Sequence, residues 1–393
     1  MIKVLVVDDS VVVRRLIVDS LTGQPDIEVV GTAANGLLAQ AKIDQLKPDA
    51  ITMDIEMPEM NGIEAVRELR KRHKHIPVIM FSTLSASGAS ATLEALSAGA
   101  TDYVTKPSNV GSIKESIAAV REQLVPKIHA LAGRRSPAGP PPRPGPAGPA
   151  RPGFGARPGA PVPGRPGLST SRPAGPSSPG APAPVRRTGP AGRIDIIAIG
   201  SSTGGPDALT KVLQSLPTDL PVPIVVTQHM PPVFTRMFAE RLDRSTPLHV
   251  VEATDGMELM PGTVYIAPGD KHLVLQRRST ATLTQLSGAP PENSCRPAVD
   301  VMFRSVAALF GAAAYATVLT GMGYDGRGGA KVLREAGAEV LAQDEASSVV
   351  WGMPGAVVGA GLADEVLPLD RIASALLQRV QVGRVSRPTA VTR

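Results

Sequence analysis

Half of the sixty residues 134–193 are proline or glycine, 18 and 12 of them, and no stretch of that composition can pack a core. The glycines keep no three-residue period, so a collagen-like helix is excluded. The segment reads as a disordered, partly extended linker. It divides the 393-residue chain into a first domain at 1–125, a linker at 126–193 and a second domain at 194–385. Residues 134–193 also hold ten Arg and no Lys, Asp or Glu; set against the chain's +6, the remainder carries −4. The basic charge therefore sits on a tether with no binding fold beside it, which argues against a nucleic-acid partner. Cys295 is the only cysteine, so no intramolecular disulfide framework exists and a reducing compartment is expected. The chain turns acidic by Asp8, before a signal-peptide apolar region could form. No apolar run approaches the roughly 18 residues that would span a bilayer. The expectation is a soluble, cytoplasmic monomer without membrane insertion.

Both flanking regions alternate short apolar runs with helical patterns. In the first, 2–7, 29–32, 50–53, 78–81 and 102–104 read as strands, with helices at 11–21, 36–46, 63–72, 88–98 and 112–123. In the second, strands are expected at 194–199, 223–227, 249–252, 264–266, 315–319 and 339–342. Helices fill 206–216, 233–243, 298–309 and 328–336, and a hairpin is expected from 263–268 and 272–276, turning at Gly269-Asp270. This alternation predicts two α/β domains, each a doubly wound parallel sheet.

Ligands of such sheets bind beyond the carboxyl ends of the strands. Asp8 and Asp9 end the first predicted strand and Asp54 the third; Ser82 ends the fourth and Lys106 follows the fifth. Three crowded carboxylates repel unless a cation joins them, and oxygen-only ligands favour Mg²⁺. Three acids, a hydroxyl and an ammonium suit a phosphoryl group transferred to a carboxylate. Any one of these acids is ordinarily a solvated strand-end residue; five polar positions at strand ends are not a coincidence to expect. At Asp8-Asp9, Met53-Asp54-Ile55-Glu56-Met57-Pro58, Ser82 and Lys106-Pro107 the domain resembles response-regulator receivers, which are flavodoxin-like. The resemblance implies phosphorylation of Asp54 by a histidine kinase. It further implies Mg²⁺ held by Asp9, Asp54 and Glu56.

In the second domain, Gly200-Ser-Ser-Thr-Gly-Gly205 joins a strand to a helix start, with Ser202 central in a G-x-S-x-G pattern. That places a hydroxyl on a tight turn beside free helix N–H groups. A phosphate-binding loop is the rival, but its G-x-x-x-x-G-K pattern is absent. A nucleophilic serine needs a base, and of His229, His249 and His272 only His229 follows a strand on the same sheet edge. Asp325 comes straight after the strand at 315–319, giving the order Ser, His, Asp, which disfavours the ordinary α/β-hydrolase fold. Gly321, Gly323 and Gly326 also fit a dinucleotide fingerprint, with Asp344 ending the next strand, but too little chain follows to complete such a fold.

These stretches resemble the chemotaxis protein-glutamate methylesterases. So do Gln228-His-Met-Pro231, Phe238-Ala-Glu-Arg-Leu242, Tyr265-Ile-Ala-Pro-Gly-Asp-Lys-His272, Arg296-Pro-Ala-Val-Asp300, Leu319-Thr-Gly-Met-Gly323 and Gly352-Met-Pro354. The receiver-before-esterase order matches as well. The resemblance implies Ser202 as nucleophile, His229 as base, Asp325 as its orienting acid, and Met322 as a backbone oxyanion donor, with Thr203 contributing beside the nucleophile. It implies, as substrates, methyl esters of glutamate on chemoreceptors, with glutamine deamidation as a second activity and no cofactor for the esterase. Ser201 stands where a small apolar residue is usual, and Cys295 where His is frequent. The alternative is a receiver-controlled module whose hydrolase-like domain serves another signalling pathway.

Overall fold

A computed structural model describes residues 1–107, 112–133 and 192–384; residues 134–191, most of the segment read as linker, lie outside the described residues. The first domain runs β1 (Ile2–Val7), α1 (Val11–Leu21), β2 (Ile27–Ala33), α2 (Gly36–Leu46), β3 (Ala50–Asp54), α3 (Gly62–Arg72), β4 (Val78–Ser82), α4 (Ala86–Ser97), β5 (Asp102–Thr105) and α5 (Ile113–Ala132). Its strands pair in parallel in the order β2-β1-β3-β4-β5, the flavodoxin-like doubly wound order. β3 and β4 are buried at every residue, as unbroken apolar runs between two helical layers should be. Each helix of this domain starts on a side-chain cap: Ser10, Asn35, Asn61, Ser85 and Ser112 accept a first-turn backbone N–H. Such caps contribute about 1 kcal/mol apiece.

The last helix, expected to end at residue 123, continues to Ala132, past the expected domain end at 125. Val120, Leu124, Ile128 and Leu131 keep one apolar face buried past Pro126, so packing outweighs the one hydrogen bond that proline removes. The first seven residues of the expected linker therefore continue this helix.

The second domain contains β6 (Ile196–Ser201), α6 (Gly205–Gln214), β7 (Ile224–Gln228), α7 (Phe234–Ser245), β8 (His249–Glu252), β9 (Thr263–Ile266), β10 (His272–Arg278), β11 (Ala281–Ser287) and α8 (Val299–Phe310). It continues through β12 (Ala314–Val318), α9 (Arg327–Glu335), β13 (Glu339–Gln343), α10 (Met353–Gly359), β14 (Glu365–Leu367) and α11 (Leu369–Gln381). Seven strands form one parallel sheet, β14-β13-β12-β6-β7-β9-β8. The chain leaves β6 toward β7 and later returns to lay β12 on β6's other side, so the switch point lies between β6 and β12.

The expected hairpin is corrected. Residues 263–266 join the parallel sheet between β7 and β8, while β10 pairs antiparallel with β11, from His272↔Ser287 to Arg278↔Ala281. β9 is almost wholly buried, the pattern of a central parallel strand rather than a half-wet hairpin arm.

The two domains share one apolar cluster. Leu93, Leu96 and Tyr103 of the receiver belong to it with Leu209, Phe234 and Phe238 of the second domain. The rings of Tyr103 and Phe234 stack with centroids 4.9 Å apart. Burying a side chain such as Phe234 contributes roughly 1.5–3 kcal/mol, so the receiver is held onto the face that carries Ser202.

Candidate active site and receiver pocket

The switch point brings the predicted catalytic residues together. Ser202 follows β6 in a turn closed by Gly205 N–H donating to Ser202 O at 2.7 Å, and the Ser202 N–H donates to Thr320 O at 3.0 Å. Gly204 sits at φ +76°, a backbone state that favours glycine, and a Cβ there would strike Val349. Gln228, the last residue of β7, fixes the spacing to the next strand: its Nε2 donates to Ser202 O (3.0 Å), and its Oε1 accepts from Ser201 Oγ (2.7 Å). The unusual Ser201 thus fills a buried hydrogen bond between the two strands that present Ser202 and His229.

His229 Nε2 pairs with Asp325 Oδ2 at 2.8 Å. The ring's other nitrogen, Nδ1, lies 3.6 Å from Cys295 Sγ. In chymotrypsin-like triads the acid meets Nδ1; here Asp325 meets Nε2 instead, which leaves Nδ1 on the other side of the ring. Ser202, Thr203 and His229 line one cavity of about 790 Å³ between the domains. No hydrogen bond joins Ser202 Oγ to His229 among the described residues.

Asp325 is 2% exposed, yet four protein N–H donors besides His229 surround it. Oδ2 accepts from Val299 N (2.6 Å), and Oδ1 accepts from Asp300 N (3.0 Å), Gly326 N (3.0 Å) and Asn293 Nδ2 (2.9 Å). Val299 and Asp300 open α8, whose N-terminus has no side-chain cap and gives these N–H groups to Asp325 instead. Burial alone would push the carboxyl up, but its hydrogen bond to His229 and the backbone donors outweigh it, and its pKa is lowered. Burial pulls His229 down, while Asp325 and then Cys295 pull it up further, to about 9.

The backbone N–H groups of Thr203 and Met322 donate to none of the described residues, which leaves both available to an anion. Thr203's hydroxyl crosses the domain interface and donates to Asp102 Oδ2 at 2.6 Å. His272 is spent structurally, accepting from Ala298 N and facing Pro290 O, and exposed His249 pairs with Asp243. Asp344, the acid of the dinucleotide reading, turns back onto Ser347.

In the receiver, Asp8, Asp9 and Asp54 place carboxylate oxygens within 4.8 Å of one another. Lys106 Nζ reaches Asp54 Oδ1 at 2.8 Å and Asp8 Oδ2 at 3.5 Å. Gly62 lets α3 approach the carbonyl of Asp54, where any Cβ would collide. Burial first, then the Asp54 charge, pushes Asp8 up to about 6, and burial also raises Asp54. Asp8 Oδ2 is buried without a hydrogen-bond partner among the described residues. A crowded, under-donated oxygen set of this kind fits a hard divalent cation. Glu56 is exposed and its carboxylate lies outside this cluster of three side chains, beside Asp9 at the rim of the pocket. Ser82 turns from the acids toward α4, accepting from Thr92 Oγ1 (2.6 Å) and donating to Gly88 O (3.1 Å).

Sequence reasoning missed Gln228, Asn293, Asp102 and the α8 N-terminus. Only Gln228, next to His229 in sequence, carried a signal; the others reach the site from distant positions.

A receiver with its acidic pocket, followed by a parallel-sheet domain with a Ser–His–Asp set at its switch point, defines a signal-regulated serine hydrolase. Residues 4–118 match the response regulator receiver domain and residues 197–376 the CheB methylesterase. A protein-glutamate methylesterase/protein-glutamine glutaminase of a Nocardioides species is 53% identical over 98% of this chain and 97% of its own. One from Trichodesmium erythraeum is 44% identical over 96% and 99%. The CheB methylesterase catalytic domain of Thermotoga maritima is 45% identical, with TM-score 0.47, over 47% of this chain and 98% of that one. The chain belongs to the CheB methylesterase family, in its receiver-bearing form. Among the described residues no helix is long and apolar enough to cross a membrane.

Proposed function

We propose that this protein removes methyl esters from glutamate side chains of chemoreceptors, and deamidates receptor glutamines, under control of Asp54 phosphorylation. The observation that carries the chemistry is the buried His229–Asp325 pair beside Ser202 at the switch point. Ser202 Oγ attacks the ester carbonyl as His229 Nδ1 takes its proton. The N–H groups of Thr203 and Met322 receive the oxyanion. The tetrahedral intermediate expels methanol, protonated by His229, and leaves an acyl-Ser202. Water, deprotonated by His229, then releases the glutamate carboxylate; a glutamine substrate loses ammonia by the same route. Asp325 stays ionised throughout and holds the ring by Nε2.

The receiver takes a phosphoryl group from a histidine kinase onto Asp54. Asp8, Asp9 and Asp54 would hold Mg²⁺, which supplies charge neutralisation, and Lys106 contacts the phosphoryl oxygens. Ser82, drawn to that phosphoryl group, would release Thr92 and Gly88 and loosen α4 from α7. The docked receiver covers Ser202, so the unphosphorylated chain is the repressed form, acting as a cytoplasmic monomer. Nothing favours the alternative of a hydrolase domain serving another pathway.

Methanol release from methylated receptor tests the nucleophile. Ser202→Ala should lower the rate by a factor of order 10⁴ or more. A near wild-type rate would remove Ser202 from the mechanism.

A further inference from the structure

Cys295 holds a position that ester hydrolysis does not use. It closes a tight turn in which Cys295 N–H donates to Glu292 O (2.9 Å) and Glu292 N–H donates to Cys295 O (3.0 Å). The turn is pinned at both ends of its reach. Glu292 takes both arms of the Arg304 guanidinium at 2.6 and 2.7 Å, and Asn293 Nδ2 donates to Asp300 and Asp325. The same Asp325 anchors His229, so the turn that carries Cys295 and the imidazole are both tied to one carboxylate, and Sγ stands 3.6 Å from Nδ1.

That separation has a chemical meaning. With Zn–S near 2.3 Å and Zn–N near 2.05 Å, the S···N edge of a zinc tetrahedron is about 3.5 Å. Sγ, an imidazole nitrogen of His229 and an Asp325 oxygen all lie within 4.8 Å of one another. Asp325 already binds Nε2, which is the outer-sphere carboxylate that metal-bound histidines ordinarily carry. His229 lines the open interdomain cavity and Cys295 is itself part-exposed, so an ion can reach the pair from solvent.

We propose that Cys295 Sγ and His229 Nδ1 form a binding site for a thiophilic divalent cation of the zinc type, completed by water, and that its occupancy inhibits the esterase. Binding releases the thiol proton to solvent and leaves a thiolate–metal bond; nothing is oxidised or reduced. The metal takes the Nδ1 lone pair that must accept the Ser202 proton, so inhibition, unlike binding, rests on the reading of His229 as base. Mg²⁺ does not compete, because a hard cation prefers the all-oxygen receiver pocket to a sulfur–nitrogen pair. One chain thereby keeps an activating hard-metal site and an inhibitory soft-metal site apart.

The full-length protein titrated with Co²⁺ gives a direct readout. The chain contains no other cysteine, so a thiolate-to-cobalt charge-transfer band can come only from Cys295. The band should appear in the wild type, persist in excess Mg²⁺ and be absent from Cys295→Ser. In parallel, Zn²⁺ should suppress methanol release reversibly on chelation, and Cys295→Ser should raise the half-inhibitory Zn²⁺ concentration by at least about tenfold. No band, or equal Zn²⁺ sensitivity in Cys295→Ser, overturns the metal site. A Cys295-dependent band without any loss of esterase rate overturns the inhibition and His229 as the base, while leaving the metal site standing.

Discussion

The two domains bury carboxylates at the ends of parallel strands and treat them in opposite ways. Asp325 receives five hydrogen-bond donors and its pKa falls below the usual carboxylate value. Asp8 receives Ser10 N–H and a distant Lys106, leaves Oδ2 without a hydrogen bond, and rises to about 6. Helix starts tell the same story. All five receiver helices are capped by their own side chains, whereas α6 to α11 have none, and α8 gives its free N–H groups to Asp325. The hydrolase carboxylate is finished, held ionised for one task. The receiver pocket is unfinished, and a cation with a phosphoryl group would complete it.

Substituting the acids should break this contrast in opposite directions. Asp325→Asn keeps the shape but cannot hold the imidazolium, so kcat for methanol release should fall by about 10⁴. Asp8→Asn should instead stabilise the metal-free fold at pH 7. A carboxyl whose folded pKa is raised from 3.8 to about 6 favours the folded state only while protonated, and that contribution is lost as pH rises from about 4 through 6. Removing the buried charge should return on the order of 1–2 kcal/mol in urea unfolding, and acetyl-phosphate labelling of Asp54 should fail in the same variant. A destabilised Asp8→Asn would show that the pocket is already satisfied.

The pH profile sharpens the comparison at the base. His229 must be neutral to accept a proton, and its pKa is raised to about 9. The kcat/KM for receptor demethylation should therefore climb with an alkaline limb near pH 9 rather than near the ordinary imidazole value. Cys295→Ala, which removes one cause of the upward shift, should move that limb toward lower pH. The linked stability runs with the same sign: the charged His229–Asp325 pair contributes fully below about pH 6.5 and is lost as pH passes through about 9. A limb unmoved from 6.5 would contradict the pairing.

Legibility followed sequence distance. Asp8, Asp54, Ser202 and His229 sit at or next to a strand end and Asp325 in the loop that follows β12, and such positions can be read locally. The hairpin was misplaced because Gly269-Asp270 resembles a two-residue turn, while the true partner of β10 begins at Ala281 after a weaker turn at Ser279-Thr280. The last turns of α5 were lost to Pro126, although its apolar period continues to Leu131. Asn293 and Asp102 had no local signal at all. Asn293 reaches Asp325 across 32 residues and Asp102 reaches Thr203 across 101 and a domain boundary.

At that boundary Asp102 accepts from Thr203, the neighbour of Ser202, and Tyr103 stacks on Phe234. The most direct test is methanol release by the full chain before and after acetyl phosphate with Mg²⁺, run beside Asp54→Asn. The rate should rise on phosphorylation in the wild type and not change in Asp54→Asn, which stays at the repressed rate. Equal rates for phosphorylated and unphosphorylated wild type, or a rise in Asp54→Asn, would contradict control through Asp54.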